Sequence, residues 1–368
     1  MIGLVMKKEL IKGKPISGGS TNETPLLEVK DLKTNFYLDE GVVRAVDGAT
    51  VSINRRGVLG VVGESGCGKS VLARSIIRIV RPPGRTVEGE ILYDRGSSSD
   101  DGPSQTNLLD LPIDSPQMRD IRGSEISMIF QEPMVSFSPV HSIGSQIVEG
   151  IKLHQNVSEK ESRDRAVEML RRVGIPNPES RIDNYSFNLS GGMRQRAMIA
   201  MALSCSPNLL IADEPTTALD VTTQAQILEL IGELQEEFGM AVMLISHNLG
   251  VVAQMSDEVV VMYLGKVVER ADVNTLFNDP KHPYTQELLR SIPRLSRERQ
   301  TERLTAIEGT VPPPYQRPSG CTFHPRCPKF MAGVCDVLEP QTVEINDGHE
   351  VSCLLYSGSA EEVSKENK

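Results

Sequence analysis

Tryptophan is absent from this sequence, and Phe, Trp and Tyr together make up only 4% of it. That scarcity excludes the aromatic platforms on which single-stranded nucleic acids stack. Positive charge is also short. Lys and Arg number 39 against 49 Asp and Glu, a formal net charge of −10. The chain therefore lacks the overall positive field that non-specific nucleic-acid binding needs. No stretch approaches the roughly 20 uninterrupted apolar residues of a membrane-spanning helix. At the N-terminus Lys7 and Lys8 follow a short apolar run, the reverse of a signal-peptide layout. These absences predict a soluble, cytosolic protein. What is present, 368 residues at 39% apolar, suffices for two domains or one large domain with an appendage, at about 150 residues per domain.

Residues 1–25 read as a flexible leader, polar and rich in Gly, Ser and Thr from Glu9 onward. Strand-like stretches begin at Leu27 and again over Gly41–Ile53, closed by a turn at Arg55–Gly57. Val58–Val62 is a compact apolar run that suits a buried central strand, and an apolar helical pattern follows from Val71 to Val80. Residues 94–117 carry Ser, Asp, Gly, Pro and Asn without a core face and predict an exposed loop. Ser158 and Glu161 form a capping box ahead of Ala166, Met169, Leu170 and Val173, with Gly174 as the stop. Leu209–Ala212 and Ala241–Ile245 are two further short apolar runs. Strands alternating with helices predict a mostly parallel sheet covered by helices. Val259–Met262 and Val267–Glu269 around Gly265 read as a terminal hairpin. Beyond Pro280 the composition shifts to Pro, Arg and Cys, so 280–356 is taken as a separate extension and 357–368 as a disordered tail. The Gly-rich loop occurs once, and there is no internal repeat.

That loop, Gly63-Glu64-Ser65-Gly66-Cys67-Gly68-Lys69-Ser70, matches G-x-x-x-x-G-K-[ST] between a predicted strand and a predicted helix. Its glycines let backbone N–H groups close around phosphate oxygens, and the helix N-terminus favours the negative charge. Lys69 would reach the β- and γ-phosphates, and Ser70 would ligate Mg²⁺. Asp213 and Glu214 end a second apolar strand. Asp213 suits the Mg²⁺ shell, and Glu214 suits polarisation of an attacking water. Ser190, Gly191 and Gly192 precede a helical pattern from Arg194 to Leu203. Ser190 can cap that helix while the glycines expose its first N–H groups to an anion.

Together with Gln131 after Ile129-Phe130, Ala218-Leu219-Asp220, and His247 after Ile245-Ser246, these pieces resemble the ATP-binding subunits of ABC transporters across about 26–270. The resemblance implies an α/β P-loop NTPase fold of ABC type over 26–279. Its parts are a mostly parallel sheet core, an antiparallel β subdomain, and a helical signature subdomain at about 132–205. It also implies two such units facing head to tail, each ATP lying between one unit's phosphate loop and the other's Leu189–Met193 signature. Glu214 would be the catalytic base, and His247 would contact the γ-phosphate and the water. Gln131 would contact Mg²⁺ and sense a membrane partner, and Asp220 would communicate across the dimer. Phe36 is the choice for stacking on adenine, with Tyr37 as the rival. Met193, where Gln is commonest, and Asn248, where Asp is common, depart from the pattern without touching the reacting phosphate.

His282-Pro283-Tyr284-Thr285, Leu288-Leu289, Ser291-Ile292-Pro293, Val311-Pro312-Pro313-Pro314 and Gly320–Pro328 narrow the resemblance to the oligopeptide/dipeptide importers. Cys321, Cys327, Cys335 and Cys353 cluster here, and in a reducing cytosol four clustered thiols argue for metal over disulfides. Zinc sites usually carry a C-x2-4-C pair, which this spacing lacks, and thiolates can instead hold iron and sulfide. Some relatives imply a 4Fe–4S cluster, with zinc the alternative. His324 and His349 are reserve ligands that read more simply as surface histidines. Cys205 reads as a packing residue. The implied partners are a related second ATPase, two transmembrane permeases and an extracytoplasmic solute-binding protein, with this chain peripheral on the cytoplasmic face. Di- and oligopeptides lead as the imported solute, ahead of oligosaccharides and nickel. The rival from another class is a soluble ABC ATPase of translation or repair.

Overall fold

The computed structural model describes residues 24–96, 105–131, 136–217, 219–291 and 307–357. The expected leader up to residue 23, the tail from 358, Ala218 and Ile292-Pro293 lie outside them. Two sheets enclose the first core. Strands β1 (Leu27–Leu38) and β2 (Gly41–Ile53) form a long antiparallel hairpin, and β4 (Gly84–Asp94) pairs with the other edge of β1. A short β5 (Gln105–Asn107) completes this antiparallel sheet in the order β2-β1-β4-β5.

The second sheet holds the parallel strands β3 (Val58–Val62), β8 (Ala241–Ile245), β7 (Leu209–Asp213) and β6 (Ile126–Ile129). These strands are almost continuously apolar because both faces are covered, one by the antiparallel sheet and a helix beneath it, the other by helices. Beside β3 runs β9 (Glu258–Tyr263), also parallel, which turns into β10 (Lys266–Asp272). The hairpin is therefore present, but it does not end the sheet. Strand β12 (His349–Ser352) pairs with the outer edge of β10, and β11 (Thr342–Asn346) pairs with β12. Edge strands carry unpaired N–H and C=O groups, and a strand from much later in the chain satisfies them here.

Helix α1 (Lys69–Ile76) lies between the two sheets, with Leu72, Ala73 and Ile76 in one core with Val29 and Leu32 of β1. It ends four residues before the apolar pattern does, because Arg78 adopts a left-handed backbone, φ 56°. The predicted loop over 94–117 also needs correction where it is described. Leu108 is fully buried, and Asn107 Oδ1 accepts N–H groups from Ile91 and Leu109. Ser115 then caps a short helix α2 (Pro116–Asp120) that buries Met118. One asparagine fixes the segment, a device that leaves no periodicity in the sequence.

On the far face of the parallel strands, α3 (Ile143–His154), α4 (Glu159–Arg172), a short α5 (Pro178–Arg181) and α6 (Gly191–Leu203) build a helical subdomain. Ser158 caps α4 through the Glu161 N–H, one half of the expected capping box, while the Glu161 carboxylate pairs with Arg165 instead, and Gly174 (φ 76°) follows the helix end. Cys205 packs against α3, its Sγ donating to the Gly150 carbonyl. Helix α7 (Val221–Phe238) shares this core with β7 and β8. Helix α8 (Leu249–Met255) crosses β3 so closely that a Cβ on Gly60 would lie 2.5 Å from Val252. A third core joins β9 and β10 to α9 (Val273–Asn278), α10 (Pro283–Arg290) and Phe323.

Candidate functional site

Strand β3 delivers Gly63 to the sheet's carboxyl edge, where the chain turns over into α1. A Cβ on Gly63 (φ 149°) would stand 2.3 Å from the Met262 carbonyl oxygen, and one on Gly68 (φ 102°) 2.1 Å from that of Ala45. Only glycine fits either place. Ser65 and Gly66 are exposed at the loop's tip, while Cys67 is buried beneath it and burial raises its thiol pKa. Lys69 is buried as well. Its Nζ donates to the carbonyls of Gly63 (2.7 Å) and Glu64 (3.0 Å), so the ammonium is held inside the cradle that a phosphate would enter.

Ser70 Oγ donates to Asp213 Oδ1 at 2.9 Å. Asp213 is fully buried at the end of β7, and its second oxygen, Oδ2, has no hydrogen-bond partner. Burial pushes its pKa up. A buried carboxylate oxygen without a donor, next to a serine hydroxyl, is costly unless a cation completes it. The pair therefore fits Mg²⁺.

Glu214, the next residue, holds a left-handed backbone, φ 48°, with its N–H on the Ile245 carbonyl at 3.0 Å. This conformation is uncommon for a residue with a Cβ. It turns the side chain away from Asp213's buried position toward two donors and a histidine ring. Glu214 Oε2 accepts from Gln131 Nε2 (3.1 Å) and Thr217 Oγ1 (2.9 Å) and lies 3.3 Å from His247 Nδ1. Gln131, Glu214 and His247, read from three separate segments, thus meet at one oxygen. Thr217 was missed, although its place three residues after Glu214 is a short-range signal.

Ser190 is exposed and caps α6 by accepting the Met193 N–H at 3.3 Å. A Cβ on Gly192 would stand 3.0 Å from Thr223 Cγ2, while Gly191 has only Leu219 nearby. Asp220 caps α7, taking the Thr223 N–H at 3.0 Å and its hydroxyl at 2.7 Å, and these bonds hold its pKa down. The signature glycine and Asp220 thus share Thr223 as a neighbour. Both departures from the pattern have local explanations. Met193 packs against the helical core, and Asn248 caps α8 through Oδ1 to the N–H groups of Gly250 and Val251, as Asp would. Of the two aromatics, Phe36 is half-buried against Val80 and Gly84. Tyr37 is 46% exposed, with the Arg85 guanidinium 5.7 Å from its ring centre.

The cysteines of the extension are all free thiols. Burial raises Cys321 to about 11 and Cys353 to about 12, with a further push from the neighbouring cysteines. The four thus occupy one neighbourhood. Even so, no group of three or more His, Cys, Asp and Glu among the described residues is arranged to hold a metal ion. His349 is not a surface residue. It is buried with Nε2 2.9 Å from Glu269 Oε1, which commits it to joining β12 to β10. His324 is part-buried, its Nδ1 3.0 Å from the Cys321 carbonyl.

Residues 46–217 match the family model described as ABC transporter, and residues 268–335 match the oligopeptide/dipeptide transporter C-terminal region. A "Probable peptide ABC transporter ATP-binding protein" of Sinorhizobium fredii is 51% identical over 329 residues, covering 89% of this chain and 94% of that protein. The dipeptide transport ATP-binding protein of Escherichia coli is 44% identical, covering 89% and 96%. A solved ATP-binding cassette, dimeric and in a post-hydrolysis state with ADP and Pi, superposes with a TM-score of 0.58 at 25% identity. The match covers 67% of this chain and 98% of that one.

Proposed function

The chain belongs to the ABC transporter ATP-binding subunits that carry the oligopeptide/dipeptide C-terminal region, and from that premise we propose that it hydrolyses ATP to power import of di- and oligopeptides. The observation that carries the catalytic reading is the convergence of Gln131, Thr217 and His247 on Glu214 Oε2, next to the Ser70–Asp213 pair. The phosphate loop binds the β- and γ-phosphates through its N–H groups and Lys69. Ser70, Asp213 and Gln131 would hold Mg²⁺, which when bound would supply positive charge to the phosphate oxygens. Glu214 takes the proton of the attacking water as its oxygen bonds to the γ-phosphorus, and ADP leaves with the electrons of the broken P–O bond. His247 holds the water and the γ-phosphate, and Asp220 communicates between subunits. Phe36 stacks on adenine, and Phe36→Ala should weaken ATP binding more than Tyr37→Ala does. Ser190, Gly191 and Gly192 close on the nucleotide of a facing subunit.

Among the described residues no helix is long and apolar enough to cross a membrane. The chain's likeness to peptide-transport ATP-binding proteins supports the further reading that it works with two transmembrane permease subunits, an extracytoplasmic solute-binding protein and a related second ATPase, peripheral on the cytoplasmic face. Uptake of labelled di- and oligopeptides, oligosaccharides and nickel in a host carrying Glu214→Gln tests the proposal. Peptide uptake should fail while the others persist. Loss of sugar or nickel uptake alone would reassign the solute, and no loss, with the variant protein present, would favour a soluble ATPase.

For the extension we propose a 4Fe–4S cluster on Cys321, Cys327, Cys335 and Cys353, with zinc as the alternative. Four free thiols in one neighbourhood support this, and closing to ligand distance is what binding would require. Anaerobic protein should contain about four iron and four sulfide per chain. A single zinc without iron would replace the assignment.

A further inference from the structure

The first residue after Gly63 is held from three sides, two of them by the C-terminal extension. The Glu64 N–H donates to the Tyr284 hydroxyl at 2.9 Å. The Glu64 carbonyl accepts from Lys69 Nζ at 3.0 Å. The Glu64 carboxylate takes both terminal nitrogens of Arg326, Nη1 to Oε2 at 2.7 Å and Nη2 to Oε1 at 3.0 Å. Tyr284 lies 220 residues from Glu64 in the chain and Arg326 lies 262. Nothing local in the sequence links them.

The pair is built rather than incidental. Arg326 has a side chain only 4% exposed, and its partner is 24% exposed. Arg326 Nε donates to the Glu308 carbonyl at 3.1 Å, and Nη1 also reaches the Tyr263 hydroxyl at 3.4 Å. The guanidinium is thus bound on every edge, and a bidentate carboxylate pair fixes orientation as well as charge. Tyr284 is fully buried in an aromatic cluster with Tyr263 (4.7 Å between ring centres) and Phe323 (5.3 Å). The tyrosine hydroxyl is therefore held in place when it accepts the loop N–H. A phosphate loop works only when its carbonyls and N–H groups are preset, since ordering them on binding would cost affinity. Glu64 also touches Lys69 directly, so whatever fixes Glu64 fixes the carbonyl on which the lysine rests.

We propose that Arg326 and Tyr284 are positioning residues for ATP, acting through Glu64, so that the C-terminal extension sets the conformation of the phosphate loop. The inference rests on the nucleotide reading of that loop. It assigns the extension a part in ATP affinity, separate from any metal its cysteines hold.

The test is ATP binding by the full chain in a Glu214→Gln background, together with KM and kcat for ATP in the otherwise unaltered chain. Arg326→Ala should weaken ATP binding about 5–20-fold, the size of an ordinary coupling between sites. It should raise KM by a similar factor while kcat falls less than about threefold. Combining it with Glu64→Gln should weaken binding no further than the worse single variant, because both remove one interaction. The exchange Glu64→Arg with Arg326→Glu should recover part of the loss. Should Arg326→Ala fail to fold, Tyr284→Phe keeps the ring and the ion pair, deletes only the hydroxyl, and should still weaken binding about threefold. Unchanged affinity in Arg326→Ala or in Tyr284→Phe, or losses from Arg326 and Glu64 that simply add, would overturn the proposal. A parent chain that does not bind ATP at all would overturn the nucleotide reading as well, which a mutation without effect would leave standing.

Discussion

One oxygen of Glu214 receives Gln131 and Thr217 and faces His247, and the exchange of that carboxylate for an amide separates structure from chemistry. In Glu214→Gln the amide oxygen can stay on the same donors while its NH₂ turns to the side where no donor is required. The left-handed backbone at 214 is unaffected, and basicity alone is lost. Turnover should therefore fall about 10²–10⁴-fold, the usual contribution of a general base. ATP affinity should stay within about threefold, read by steady-state hydrolysis and equilibrium binding on one preparation. Equal turnover would remove Glu214 from the mechanism. Gly68 gives a second residue-scale expectation. Its Cβ would lie 2.1 Å from the Ala45 carbonyl with φ at 102°, and backbone cannot move aside as a side chain can. Gly68→Ala should cost about 3 kcal/mol or more in denaturant unfolding, by strain and clash together. A cost below about 1 kcal/mol would show that the loop relaxes freely.

Among the elements, α10 carries a pH dependence through its cap. His282 is fully buried, its Nδ1 accepts the Tyr284 N–H at 3.0 Å, and burial pushes its pKa down to about 3. The unfolded chain takes up that proton near pH 6.5, while the folded chain refuses it until about pH 3. Between those values the unfolded state binds more protons, so stability falls as the pH drops, by at most about 1.4 kcal/mol per pH unit. His282→Asn keeps an acceptor for the cap and removes the titration. Denaturant unfolding at pH 7, 6 and 5 should show a shallower acid slope in that variant, and equal slopes would place the sensitivity elsewhere.

Local chemistry of this kind was largely legible in the sequence. Ser158 and Ser190 cap helices within three residues of themselves, and the glycines of 63–68 announce their own backbone. Of the buried parallel strands, β3, β7, β8 and β9 were visible as apolar runs, whereas the four residues of β6 were not. The contacts that could not be read are those made across long chain separations. β12 closes the edge of β10, Glu269 binds His349 eighty residues away, and Arg326 reaches Glu64. Each depends on one or two polar side chains that leave no periodic trace. Even Leu108, inside a polar stretch, is placed by a single asparagine.

At the scale of the whole molecule, the phosphate loop and the signature stand on different bodies. Gly63–Ser70 sits between β3 and α1 and is anchored to the extension through Glu64, whereas Ser190–Gly192 opens α6 in the helical subdomain with α7 at its side. If each nucleotide is shared head to tail, the loop binds in its own chain and the signature acts on the facing one. In a Glu214→Gln background, Lys69→Ala should abolish ATP binding and ATP-driven dimerisation together. Ser190→Arg should leave binding by the single chain within about threefold, because the loop is untouched. It should nonetheless lower ATP-dependent association more than about tenfold, since a bulky cation replaces the helix cap that meets the partner's phosphate. Sedimentation with and without ATP in the presence of the related second ATPase, beside calorimetric binding by the single chain at low protein concentration, reads the two effects apart. Loss of ATP binding by the isolated Ser190→Arg chain would instead put the signature and the loop in one site of the same subunit, and the two-body division of labour would fall.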